Sequence, residues 1–142
     1  MVWCAALLTV LAAGGCGSFQ RQWQQAAAHP SADAISGRWH GTWSSAHNGH
    51  TGSLRCIVKP AGSGRYDAWF HATYMTVMSA EYRCALLVRQ ADGLLRFTSE
   101  ADLGWLGGGA YRQDGRIEDG RYLATYTAKA DHGSLEMSRP DR

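Results

Sequence analysis

"GRWHGTWSSAHNGHTGSLRCIVKP", residues 37–60, decides the fold. Gly37, Trp39, Gly41 and Trp43 fall on one face of an extended chain, and Arg38, His40 and Thr42 on the other. A period of two is the mark of a half-buried strand and not of a helix. Asn48-Gly49 follows, the dipeptide preferred in tight hairpins. After it, residues 52–60 alternate again: Leu54, Cys56 and Val58 face one way, Ser53, Arg55, Ile57 and Lys59 the other. The segment reads as two antiparallel strands.

Outward from it, the same pattern recurs. A third strand spans 65–74, with Tyr66, Ala68, Phe70, Ala72 and Tyr74 on one face. A fourth, 80–90, aligns Tyr82, Cys84, Leu86 and Val88, and Asp92-Gly93 turns the chain into a fifth at 94–102. A glycine-dense link, "LGWLGGGAY", leads to a sixth strand through Tyr111 to about Glu118. Asp119-Gly120 makes the next hairpin, into a seventh strand at 121–128 with Tyr122, Ala124 and Tyr126 aligned. The eighth carries Leu135 and Met137. Eight strands in short sequential links, apolar on one face, form a closed up-and-down barrel or a two-sheet sandwich. Closure removes the exposed edges a sandwich must protect, so the expected fold is all-β, an eight-stranded antiparallel up-and-down barrel over 37–139.

The bulk numbers agree. A chain of 142 residues with 17 Gly, 3 Pro and 11% aromatics fits one domain of short strands and glycine turns. The net charge of +2, with both signs interspersed, offers no basic stripe for nucleic acid.

The N-terminal segment carries an address. Val2 to Ala13, "VWCAALLTVLAA", is uncharged and too short to cross a bilayer comfortably, as a signal-peptide apolar region is. "GGCGS" follows, and the chain then turns polar. This resembles the lipobox of bacterial lipoproteins, whose Cys becomes the lipidated first residue of the mature protein. The resemblance implies a signal peptide over 1–15, a lipid anchor on Cys16, and a bacterial cell-envelope location. Gly17 in place of Asp implies, in a diderm host, the outer membrane facing the periplasm. Residues 16–36 are expected as a polar tether, in which Phe19, Trp23 and Ala27 at i, i+4, i+8 allow a short amphipathic helix ending before Pro30. Such a helix has two sites open to it, the barrel or the membrane surface.

Gly37-x-Trp39 at the head of the first strand resembles the glycine-x-tryptophan signature of the calycin superfamily, which includes lipocalins, fatty-acid-binding proteins and avidins. The body also looks like that of small bacterial lipoproteins of uncharacterised activity. The calycin resemblance implies that Trp39 closes one end of the barrel and that Arg139, beyond the last strand, packs over its indole. An eight-stranded barrel is just wide enough to be filled by side chains or to hold one small ligand. The candidate ligand-binding set is Trp43, Tyr66, Phe70, Tyr82, Phe97, Tyr122 and Tyr126, for a small apolar or aromatic ligand. Avidin's biotin-stacking tryptophan series is not placed on this sequence, and biotin is not carried over.

Other chemistry is weaker. His47 and His50 flank a hairpin tip without a third ligand, so no metal is expected. Cys56 and Cys84 sit on strands two apart, about 9–10 Å at standard spacing, beyond a disulfide's reach of about 7 Å, so two buried thiols are expected. Three glycines at 107–109 lack the Lys-Ser/Thr of a phosphate loop and read as a barrel corner with Trp105 folded over one end. No nucleophile, base and orienter come together, so neither enzyme activity nor a cofactor is expected. The alternative is a protein that acts through its outer surface, as periplasmic barrel protease inhibitors do, with Trp69, His71 or the Trp105 loop exposed; the sequence names no protein partner.

Overall fold

The computed structural model describes residues 15–31, 33–104 and 109–141. The order is one helix and eight strands: α1 (Gly15–Ala28), β1 (Gly37–Ser45), β2 (Thr51–Gly62), β3 (Arg65–Tyr74), β4 (Met78–Ala91), β5 (Leu94–Asp102), β6 (Ala110–Glu118), β7 (Arg121–Ala128) and β8 (His132–Ser138). The strands close in sequence order into one antiparallel barrel. Closure joins β1 to β8 from His40↔Ser138 to Ser45↔Gly133, so no strand is left with an unpaired edge. The expected signal peptide falls on residues that, except for Gly15, lie outside the described ones, as does the Trp105 loop.

Turn chemistry explains the hairpins. Asp92-Gly93 and Asp119-Gly120 both adopt positive φ (55° and 75°, 49° and 72°), the mirror-image turn whose twist matches the flanking strands. Asn48-Gly49 differs from the expectation: the β1–β2 link spans residues 46–50, only Gly49 is left-handed in it (φ 75°), and Asn48 Oδ1 instead accepts the His50 amide at 2.9 Å. Asn48 therefore shapes a five-residue loop, whose side-chain hydrogen bond mimics a backbone turn.

Alternation fills the interior. Trp39, Leu54, Cys56, Phe70, Leu86, Tyr122 and Met137 are buried there, and Phe70, Phe97 and Tyr122 interlock ring against ring, with centroids 4.7 Å apart for Phe97–Tyr122 and 6.3 Å for Phe70–Tyr122. Cys56 and Cys84 are buried free thiols, on the strands that flank β3.

One end is plugged. The Trp39 indole is fully buried and donates from Nε1 to the Ile35 carbonyl at 2.8 Å. The Arg139 guanidinium lies 4.0 Å above the centre of its ring, and Arg139 Nη1 donates to the Ser36 carbonyl at 2.6 Å. Asp33 stiffens the loop that supplies those carbonyls, its Oδ1 accepting the Ile35 and Ser36 amides at 2.8 and 2.6 Å.

Helix α1 docks on the outside. Its Phe19, Trp23 and Ala26, at i, i+4 and i+7, form a second small core with Ile57, an outward residue of β2 that the helix takes out of water. The tether region thus includes a helix packed on the barrel wall. Arg55 lies over both Phe19 and Trp23, at 5.1 and 5.3 Å, and Gln22 accepts from Lys59 Nζ at 2.6 Å.

Candidate functional site

At the other end the described residues form no such plug. Here the links β1–β2, β3–β4 and β7–β8, with Asp102 and Leu103 at the end of β5, surround a recess of about 540 Å³ lined by side chains that include Trp43, Tyr82, Tyr111 and Tyr126. Its volume lies in the range of small-molecule pockets, roughly 300–1,000 Å³. Small residues make the room: Ala72, Ala80 and Ala128 stand on three of the strands that line it. Tyr82 stacks nearly parallel on Phe70 of the packed core, with centroids 4.8 Å apart.

Each ring is held from behind. Trp43 Nε1 donates to the Thr73 carbonyl at 2.9 Å, and its ring stacks on Tyr74, whose hydroxyl meets His50 Nδ1 at 2.8 Å. Tyr111 stacks on Tyr126 at 5.9 Å and meets Tyr82 edge-on at 5.3 Å. The Tyr82 and Tyr111 hydroxyls are 3.2 Å apart. Tyr126 donates to Asp131 Oδ2 at 2.8 Å, and Ser45 Oγ donates to Asp131 Oδ1 at 2.5 Å. Burial works to raise the Asp131 carboxyl, but hydrogen bonds from Ser45, Tyr126 and the His132 amide outweigh it and hold the pKa below the ordinary value. The site therefore offers preorganised rings with two phenol hydroxyls, and it is also lined by three carboxylate residues, Glu81, Asp102 and Asp131, and by Arg83; Glu81 Oε1 is buried and makes no hydrogen bond.

The sequence-derived set divides by depth. Trp43, Tyr82 and Tyr126 line the recess. Phe70, Phe97 and Tyr122 lie in the packed core beneath, and Tyr66 sits toward the plugged end, opposite Pro60 and Leu86. Tyr111 belongs to the recess and was not in that set, although it shares the inward alternation of β6. Two polar side chains also face inward, Gln113 and Ser99, neighbours across β5 and β6. Gln113 Oε1 accepts the Tyr122 hydroxyl at 2.7 Å, while its Nε2 and Ser99 Oγ make no hydrogen bond.

The remaining candidates take other roles. His71, expected on the surface, is buried against Phe19, with ring centroids 5.2 Å apart, and Trp69 is half-buried between Phe19 and the Arg83 guanidinium. Both are covered because α1 occupies that wall. His47 and His50 diverge, His50 toward Tyr74 and His47 toward His132. Among the described residues no group of three His, Cys, Asp or Glu side chains could hold a metal ion. Burial pushes both thiol pKa values up, and a protonated, buried thiol is a poor nucleophile. In Cys16 only the backbone, in the first turn of α1, is described.

Compared with protein-family models, curated proteins and solved structures, the chain shows no match.

Proposed function

We propose that this chain is a cell-envelope barrel, lipid-anchored through Cys16, that takes a small apolar or aromatic ligand into its open end in the manner of lipocalin-like barrels. The observation that carries the ligand reading is the asymmetry of the barrel. Trp39 and Arg139 stopper one end, while the other keeps a recess of about 540 Å³ walled by aromatic rings already fixed by hydrogen bonds and stacking. A preformed pocket lowers the ordering cost of binding, and planar rings favour a planar guest. The tyrosine hydroxyls and the charged groups of the lining, Glu81, Arg83, Asp102 and Asp131, set the orientation of a guest that bears a polar group. The uncharged stretch before Cys16 and the small residues around it support the anchor.

The test is binding of the neutral fluorophore 1-aminoanthracene to purified full-length chain, with native mass spectrometry to report any co-purified guest. Ala80 lines the recess and is exposed, so Ala80→Trp fills the space without disturbing the core. The expected result is fluorescence enhancement by the native chain and at least about a tenfold weaker response from the variant. No enhancement together with no co-purified molecule overturns the ligand reading.

A further inference from the structure

Among the described residues four large apolar side chains are more than half exposed, and three of them crowd one turn: Met75 (65%), Val77 (84%) and Met78 (55%). Single exposed apolar residues are ordinary, whereas a cluster marks a contact site. The cluster forms the β3–β4 link at the open end, directly after Tyr74 and Thr73, which carry the Trp43 indole of the recess. Its backbone is committed to this display. Met75 and Thr76 both take positive φ (51° and 61°), which turns the chain tightly and leaves their side chains in water. From Tyr74 to Ala80, "YMTVMSA", there is no charge.

The direction of α1 says what this tip meets. Phe19 packs at the level of Arg55 and His71, which are paired across β2 and β3. Farther along the helix, Gln22 bonds Lys59 and Trp23 lies under Arg38, so the helix runs toward the plugged end. Its N-terminus therefore points toward the mouth. That is where the uncharged segment Val2–Ala13 and Cys16 join the fold. A chain held to a bilayer there has the mouth, and the apolar turn beside it, as its nearest face.

We infer that Met75, Val77 and Met78 dock on a lipid bilayer surface and insert their side chains among the acyl chains, so that the recess opens onto the membrane. Tyr74, ring stacked on Trp43 and hydroxyl bound to His50, stands just before the turn, where an amphipathic aromatic favours the boundary between hydrocarbon and water. Uncharged apolar side chains at such a tip add membrane affinity with the apolar area they bury. The inference rests on the anchoring reading for its orientation, and the experiment separates the two.

In full-length chain with Cys4→Ser and Cys16→Ser, Cys56 and Cys84 are buried. A polarity-sensitive thiol dye then reports from Thr76→Cys in the turn or from Ala61→Cys, exposed near the plugged end. On vesicles of phosphatidylethanolamine and phosphatidylglycerol, the dye at 76 is expected to shift to the blue and to be quenched by spin-labelled acyl chains. The dye at 61 is expected to stay in water, and adding Val77→Asp is expected to abolish the shift at 76. A dye at 76 that stays in water while the protein sediments with the vesicles overturns the inference. So does an equal shift at 61, or a concentration-dependent shift without vesicles, which marks a second copy of the chain as the occupant. The anchoring reading is judged apart, by whether native chain but not Cys16→Ser remains in the membrane fraction of producing cells. Loss of that difference removes the anchor and leaves a lipid-dependent shift at 76 standing.

Discussion

At the residue scale, the plug shows how much one side chain organises. Trp39 fills the barrel end and lies 5.9 Å from Tyr122, while Arg139 covers the outer face of the indole and binds the loop carbonyl of Ser36. Removing the indole opens a cavity in a packed interior, and Trp39→Ala is expected to cost about 3–5 kcal/mol. Arg139→Leu removes a partly exposed cation–π contact and is expected to cost about 0.5–2 kcal/mol. Urea unfolding followed by circular dichroism measures both, and equal costs would mean that the lid, not the plug, holds this end shut. Gly37-x-Trp39 and a late arginine were visible in the sequence as a pair of positions. The clasp between them, through Ile35, Ser36 and Asp33, was not, because it depends on loop carbonyls that carry no side-chain signal. Gly41 is a quieter case: a Cβ there would collide with the Glu136 carbonyl of β8, so the strand seam requires a residue without a side chain.

At the element scale, α1 is the part least accessible to sequence reasoning. The spacing of Phe19 and Trp23 announced an amphipathic helix, but the patch it covers lies on the polar side of β2 and β3, where Ile57, Trp69 and His71 looked solvent-facing. Alternation reports which face of a strand turns to the barrel axis and is blind to what packs on the outside. The helix is tied down by few side chains, so it forms a local unit of stability. Phe19→Ser with Trp23→Ser is expected to release it while the barrel persists. Trypsin cleavage after Arg21 should then be at least about tenfold faster, with the far-ultraviolet strand signal unchanged. Collapse of the strand signal would show that the barrel needs its helix. Strand positions themselves were legible to within a few residues, since the period-two alternation breaks where each strand ends, at Asp92-Gly93 and Asp119-Gly120 on a turn dipeptide.

At the scale of the whole molecule, the interior is a store of protons held on buried groups. Burial, and secondarily neighbouring ionisable groups, raises Tyr82, Tyr111, Tyr122, Cys56 and Cys84 above their ordinary values of 10.0 for phenol and 9.0 for thiol. Below about pH 8 these groups are protonated in folded and unfolded chain alike and add no pH dependence. As pH rises through 9 and then 10, the unfolded chain releases protons that the fold retains, so the unfolded state gains and stability falls. Urea midpoints are expected to be flat from pH 7 to 8 and to drop steadily above 9. Cys56→Ala with Cys84→Ala should delay the onset of the drop toward 10. A flat midpoint up to pH 10.5 would contradict the burial of these groups. Whether the interior is filled or hollow was the question the sequence left open. Inward alternation lists the rings, but the space among them depends on strand tilt and stagger, which are properties of the closed barrel and not of any one strand. The outcome is both at once, a solid lower half and a hollow upper one.

The seam between β1 and β8 has a further consequence, in time and not in space. β1 is made early and its first partner, β2, follows it directly, whereas the partner for its other side is the last strand of the barrel. Until Ser138 has been made, no intermediate of this chain can be a finished barrel, and every one presents an open flank to chaperones and to other chains.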